Sequence, residues 1–130
     1  MAYSILVVDD EENMLALLER VLGKEGYQIA CAGSAQAGMR LARERSFQLA
    51  IVDVFMPELD GIDMLRKLKA MASDMPVVMM SAFPSWEKEE AARQLGCDDY
   101  LFKPLDMKHL KALIKQKVKQ TEDQKGQQDS

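Results

Sequence analysis

Short apolar runs and longer stretches of helical periodicity alternate along this chain. Residues 4–8, SILVV, predict a buried strand, and Met14, Leu15, Leu18, Val21 and Leu22 then form one stripe at helical spacing. Gly26 is placed to stop that helix. YQIAC at 27–31 predicts a second strand, and Ser34 can cap a helix carrying Met39, Leu41 and Ala42. Gly38 inside that helix costs up to about 1 kcal/mol relative to alanine. QLAIV at 48–52 predicts the third strand. The third helix begins at Asp60 and turns Ile62, Leu65 and Leu68 inward. Pro76 opens a fourth strand, VVMMS, and a fourth helix from Trp86 has few apolar positions, chiefly Ala91, Ala92 and Leu95. YLF at 100–102 is a short fifth strand, and Asp106 can cap a last helix with Leu110, Leu113, Ile114 and Val118 on its buried side.

Five strand–helix units in succession, with strands apolar along their whole length, imply an α/β fold whose parallel sheet is covered on both faces. From about Lys119 the chain reads KQTEDQKGQQDS, without an apolar residue. Such a segment buries too little surface to offset its ordering entropy. The expected organisation is one domain over residues 1–119 and a disordered polar tail or linker over 120–130.

Composition narrows the function classes. A chain of 130 residues supports one domain, and its 48% hydrophobic and 29% charged content is that of a soluble globular protein. No apolar run approaches the roughly 20 residues of a membrane span, and the start MAYSILVVDDEE is not a signal peptide, so the expectation is cytoplasmic with no membrane association. With 17 basic and 21 acidic residues the formal charge is −4, which disfavours direct nucleic-acid binding. Cys31 and Cys97 are expected as buried free thiols, and His109, the sole histidine, as a solvated side chain with no partner for a zinc site.

What stands out chemically is acid at the ends of apolar strands. Asp9 and Asp10 follow the first strand and Asp53 the third. In open parallel sheets, ligands bind beyond the carboxyl ends of the strands where the strand order reverses. If those two strands are neighbours, three carboxylates share one crevice, and their repulsion calls for a cation among them. A donor set of oxygens alone points to a hard ion such as Mg2+. Ser81 ends the fourth strand and Lys103 the fifth. A hydroxyl, an ammonium and a magnesium ion around one aspartate suit the oxygens of a phosphoryl group, with the aspartate as nucleophile.

VVDDEE, DVFMPELDG, MMSA and YLFKP stand in the order and at the spacing found in receiver domains of two-component response regulators, and residues 4 to about 119 resemble that family. The resemblance implies a doubly wound, flavodoxin-like (βα)5 fold, with its five-stranded parallel sheet in the order 2-1-3-4-5. It implies Asp53 as the phosphoacceptor, Asp10 as a direct Mg2+ ligand and Asp9 as one acting largely through water. It adds the Phe55 backbone carbonyl to the metal, Lys103 as the phosphoryl-binding lysine, Ser81 as the switch hydroxyl and Tyr100 as the switch aromatic. After phosphorylation, Ser81 would turn to the phosphoryl group and leave room for Tyr100 to move inward. Phe55 and Phe83 occupy the positions that tune attack by water on the acyl phosphate. FPSWEKEE after Ser81–Ala82 departs from the family's usual small or polar loop, so Pro84 and Trp86 bear on the shape of the signalling face.

As partners the resemblance implies a histidine kinase or phosphotransfer protein. It also offers a homodimer through the helix 4–strand 5–helix 5 face and an effector domain beyond residue 130. The chain would assist only its own phosphorylation and dephosphorylation rather than turn over a substrate. Three rivals fit less well. A dehalogenase-type phosphatase normally has a second acid two residues after its nucleophile, where this chain has Phe55. A receiver-like module that no longer accepts phosphate would lack the acidic pair, Asp53 or Lys103, and all are present. A dinucleotide-binding domain would carry G-x-G-x-x-G after the first strand.

Overall fold

Each apolar run is a strand and each periodic stretch a helix in the computed structural model. It describes residues 2–128, with 121–128 described as backbone alone. The chain order is β1 (Ser4–Val8), α1 (Glu12–Lys24), β2 (Gln28–Ala32), α2 (Ala35–Glu44), β3 (Leu49–Asp53), α3 (Gly61–Met71), β4 (Val77–Ser81), α4 (Trp86–Gln94), β5 (Asp99–Phe102) and α5 (Met107–Gln128). All strand pairs are parallel, and the sheet order is β2-β1-β3-β4-β5. Among the described residues, no helix is long and apolar enough to cross a membrane.

Alternation along the strands divides the interior in two. Leu6, Val8, Ala50, Val52, Val77 and Met79 face one way, where they meet Met39 of α2, Met64, Leu65 and Leu68 of α3, and Ala92 of α4. Ile5, Val7, Leu49, Ile51, Val78 and Met80 face the other way, onto Leu18 and Leu22 of α1 and Leu110, Ile114 and Val118 of α5. The central strands β3 and β4 are buried at every residue, which is why they read as unbroken apolar runs.

Helix ends follow short polar signals. The Ser34 and Asp60 side chains accept from the Ala37 and Asp63 amides, and Asp106 Oδ1 accepts from the Lys108 and His109 amides. Ser85 caps α4 in the same way, a cap not foreseen in the sequence. Gly26, with φ of 96°, turns the chain out of α1. Gly38 is explained by packing: a Cβ there would lie 2.8 Å from both Val8 Cγ2 and Met64 Cε, so α2 can sit close against β1.

One expectation needs correction. Cys31 and Cys97 are free thiols, but each is half-buried rather than buried. The backbone of α5 stays helical to Gln128, past the Lys119 boundary of the expected polar tail. Lys, Gln and Glu are good helix formers, which suits a helix running on past Val118, a buried residue of α5. The side chains of 121–128, and residues 129–130 of that tail, lie outside the described residues.

One glycine ties the fold to the sheet's carboxyl edge. After β3 the chain passes Glu58, whose φ is 68°, and returns so that the Gly61 amide donates to the Val54 carbonyl at 2.9 Å. A Cβ on Gly61 would overlap the carbonyl oxygen of Asp53 and come within 2.8 Å of its carbonyl carbon. These are backbone atoms, so the strand end itself would have to move. Gly61→Ala should therefore cost about 1–3 kcal/mol in urea unfolding. Gly23→Ala, with nothing within 4 Å of the added Cβ, should gain up to about 1 kcal/mol. Equal midpoints for Gly61→Ala and wild type would show that the loop after Asp53 is slack.

Candidate functional site

Parallel register gathers the predicted residues. Val8 pairs with Val52, so Asp9 and Asp53 leave adjacent strands side by side. Asp53 pairs with Met80 and Ser81 with Phe102, which sets Ser81 and Lys103 one step further along the same edge. The Lys103 amide donates to the Ser81 carbonyl at 2.8 Å, continuing the ladder, and the Val54 amide does the same to Met80. The Lys103–Pro104 peptide is cis.

The acidic cluster is as anticipated. Carboxylate oxygens of Asp9, Asp10 and Asp53 lie within 4.8 Å of one another, with Asp9 and Asp53 buried and Asp10 exposed. Lys103 Nζ donates to Asp9 Oδ2 at 2.8 Å and stands 3.5 Å from Asp53 Oδ2. The other Asp9 oxygen accepts from the Glu11 amide at 2.9 Å. Burial, then the neighbouring charge of Asp9, pushes the Asp53 carboxyl up to about 6, against the pull of Lys103 and of the Phe55 backbone N–H. Burial works against the Lys103 ammonium. The Asp9 hydrogen bond and the charges of Asp53 and Asp9 outweigh it and hold the pKa above the usual lysine value. One ammonium does not neutralise this cluster. A divalent cation with a preference for oxygen fits the remaining charge.

The residues assigned to switching stand on adjacent strands, Ser81 at the end of β4 and Tyr100 in β5. The Ser81 hydroxyl donates to the Phe83 carbonyl at 2.7 Å and accepts from the Phe83 amide at 3.2 Å, so both links go to its own loop. Tyr100 is already buried, packed edge-on to Phe102 with ring centroids 5.5 Å apart. Its hydroxyl has no hydrogen-bond partner among the described residues. Burial raises its pKa, and the Ser81 hydroxyl offsets that only in part, without a bond of normal geometry.

Phe55 and Phe83 meet each other edge to face, centroids 5.6 Å apart, with Phe83 62% exposed. Trp86 stands in solvent at the start of α4. Two contacts had no signal in the sequence. Glu11 Oε1 accepts from Lys103 Nζ at 3.1 Å, and nothing in DDEE separates Glu11 from Glu12. Lys88 of α4 donates to Asp60 Oδ2 at 2.8 Å, joining the first turn of α4 to the cap of α3. Such pairs, far apart in sequence, depend on how helices sit on the sheet.

Comparisons with known proteins agree with this arrangement. The family described as "Response regulator receiver domain" matches residues 5–115. The transcriptional regulatory protein ZraR of Escherichia coli O157:H7 is 39% identical over 117 residues, which are 90% of this chain and 26% of that protein. The transcriptional regulatory protein PrrA of Mycobacterium tuberculosis is 39% identical over 111 residues, 85% of this chain and 48% of that protein. The chain thus spans a quarter to a half of the length of these relatives. Among solved structures, a CheY-like receiver domain protein from Methanospirillum hungatei superposes with a TM-score of 0.93 at 28% identity, covering 95% of this chain and 99% of that one. NtrX from Brucella abortus gives 0.90 at 27% identity, covering 99% of this chain and 29% of that one. With the acidic cluster, the lysine and the strand order in place, the chain belongs to the response regulator receiver domains of two-component systems.

Proposed function

We propose that Asp53 accepts a phosphoryl group from a histidine kinase or phosphotransfer protein, with Mg2+, and that the modified domain changes its partner binding through α4, β5 and α5. The observation that carries this is Asp53 itself: a buried carboxylate at a strand end, facing two other acids within 4.8 Å and one lysine at 3.5 Å. An Asp53 oxygen attacks phosphorus as the P–N bond of the donor breaks and its electron pair returns to the imidazole. Lys103 offsets charge on the phosphoryl oxygens, and Ser81 can leave the Phe83 carbonyl to donate to one of them. Asp10, Asp53 and the Phe55 carbonyl would hold Mg2+, with Asp9 acting through water, because both its oxygens are already engaged. When bound, the ion supplies positive charge against the cluster and the incoming phosphoryl group. In this role the domain turns over no separate substrate, works in the cytoplasm and passes its state to an effector segment, a second copy or another protein. Incubation with Mg2+ and acetyl phosphate should add one phosphate, seen by intact mass, and none to Asp53→Asn. Equal labelling of that variant would move the acceptor elsewhere.

The raised pKa of Asp53 predicts a pH dependence. Its folded value of about 6 exceeds the ordinary 3.8, so the folded state holds this proton more tightly than the unfolded chain. Below about pH 4 both states are protonated and there is no penalty; the cost grows through pH 6 and is full above it. In EDTA, Asp53→Asn should match wild type near pH 4 and exceed its stability by on the order of 2 kcal/mol at pH 7.5. Millimolar Mg2+ should shrink that gap by stabilising wild type, and should do little for Asp10→Asn. A gap independent of pH would refute a charge penalty at Asp53.

Lifetime follows from the two phenylalanines. Their edge-to-face contact supports shielding, because each ring rests on the other at the carboxyl edge. Neither ring can hydrogen-bond an attacking water or act as a base. Phe55→Asn combined with Phe83→Glu should speed loss of phosphate by about ten-fold or more, measured as decay of the phosphoprotein after donor removal. Unchanged decay in the double variant would place control of lifetime elsewhere.

A further inference from the structure

We propose that Glu11 is a positioning residue for Lys103: its carboxylate keeps the ammonium beside Asp9 and back from Asp53 until a phosphoryl group competes for it. This rests on the phosphoacceptor reading of Asp53 given above. Lys103 Nζ has three carboxylates around it, at 2.8 Å (Asp9), 3.1 Å (Glu11) and 3.5 Å (Asp53). An ammonium has three protons to donate, and charge-assisted bonds are normally shorter than 3 Å. The two shorter contacts pull Nζ toward α1, so the contact with Asp53 is the longest.

Among the described residues the Glu11 carboxylate has no hydrogen bond or ion pair other than the one to Lys103. It occupies the N-cap position of α1 without making a side-chain cap. Its backbone amide holds Asp9 Oδ1, a bond that any residue except proline could supply at this position. Its side chain is 60% exposed, so its hold on Lys103 is weak and water can replace it, unlike the hold of fully buried Asp9. A weak restraint of this kind suits a lysine that must shift between two sets of oxygens. A phosphoryl group on Asp53 offers Lys103 oxygens of higher charge, and Glu11 is the partner that can be given up at least cost. Glu11 therefore biases the site toward its unmodified state.

Beryllofluoride, a phosphoryl mimic that binds the aspartate, tests this at saturating Mg2+, with affinity read from the 19F NMR signal of bound fluoride. Glu11→Gln and Glu11→Ala should bind about two- to five-fold more tightly than wild type, the scale of an exposed ion pair. A Glu11 needed only for structure would weaken binding when lost. Glu12→Gln removes the same charge one residue on and should leave affinity unchanged. Equal gains in the Glu11 and Glu12 variants would mean that net charge alone is responsible, and would overturn the proposal. Wild-type or weaker affinity in both Glu11 variants would overturn it as well. Failure of wild type to bind beryllofluoride at all would instead remove the phosphoacceptor reading, and the role of Glu11 with it.

Discussion

Negative charge concentrated at the carboxyl ends of adjacent parallel strands is the constraint from which the rest of this structure follows. Asp9 and Asp53 are buried next to each other because Val8 and Val52 are paired in the sheet. Burial first, and then repulsion from Asp9, raise the pKa of Asp53. Lys103, largely buried, answers that repulsion by reaching from the end of β5 across the edge of β4 and β3 to Asp9. Removing one partner from a buried ion pair commonly costs about 3–5 kcal/mol, because the other charge is left stranded. The arrangement tolerates a surplus of negative charge that further positive charge can relieve, which is the condition for a site that responds to what binds there.

The fold makes such a site possible by covering both faces of the sheet and leaving its carboxyl edge open. Apolar side chains of β1, β3 and β4 point alternately to the α2–α3–α4 layer and the α1–α5 layer. That double burial commits the central apolar side chains of these strands to packing, and at their carboxyl ends a polar residue can face the crevice. Gly61 brings the start of α3 directly against the backbone of Asp53 and Val54, so the strand end carrying the acid is braced from below. Lys88 reaches from α4 to the cap of α3, giving α4 a polar tie to the loop that follows Asp53.

Next to the acids, Ser81 and Tyr100 stand on the adjacent strands β4 and β5. Among the described residues the Tyr100 hydroxyl has no hydrogen-bond partner, and a buried hydroxyl left in that condition costs about 1–3 kcal/mol. The nearby Ser81 hydroxyl is turned to Phe83 instead. An unsatisfied donor beside a hydroxyl that can rotate is a small store of free energy, and either group could be satisfied by a modest change in the loop between β4 and α4. That loop also carries the exposed ring of Phe83 and leads into Trp86, exposed at the start of α4, so a rearrangement there would alter an apolar part of the surface.

Much of this was legible in the sequence because it depends on local rules. The period of apolar residues separated strands from helices, and Ser34, Asp60 and Asp106 marked helix starts through bonds to amides two or three residues on. Asp9, Asp10, Asp53, Ser81 and Lys103 were recognisable because a polar residue that ends an apolar strand has to lie at the sheet edge, and parallel strands put all such ends on one side. The boundaries, the depth of Cys31 and Cys97, and the continuation of α5 were not, since each depends on how far a neighbouring element covers the chain. The inward position of Tyr100, the turn of Ser81 toward Phe83, the facing rings of Phe55 and Phe83, and the reach of Glu11 to Lys103 were decided by the tertiary structure alone. Side-chain direction at an edge is set by whichever neighbours arrive across the sheet, and Lys103 meets Glu11 from 92 residues away.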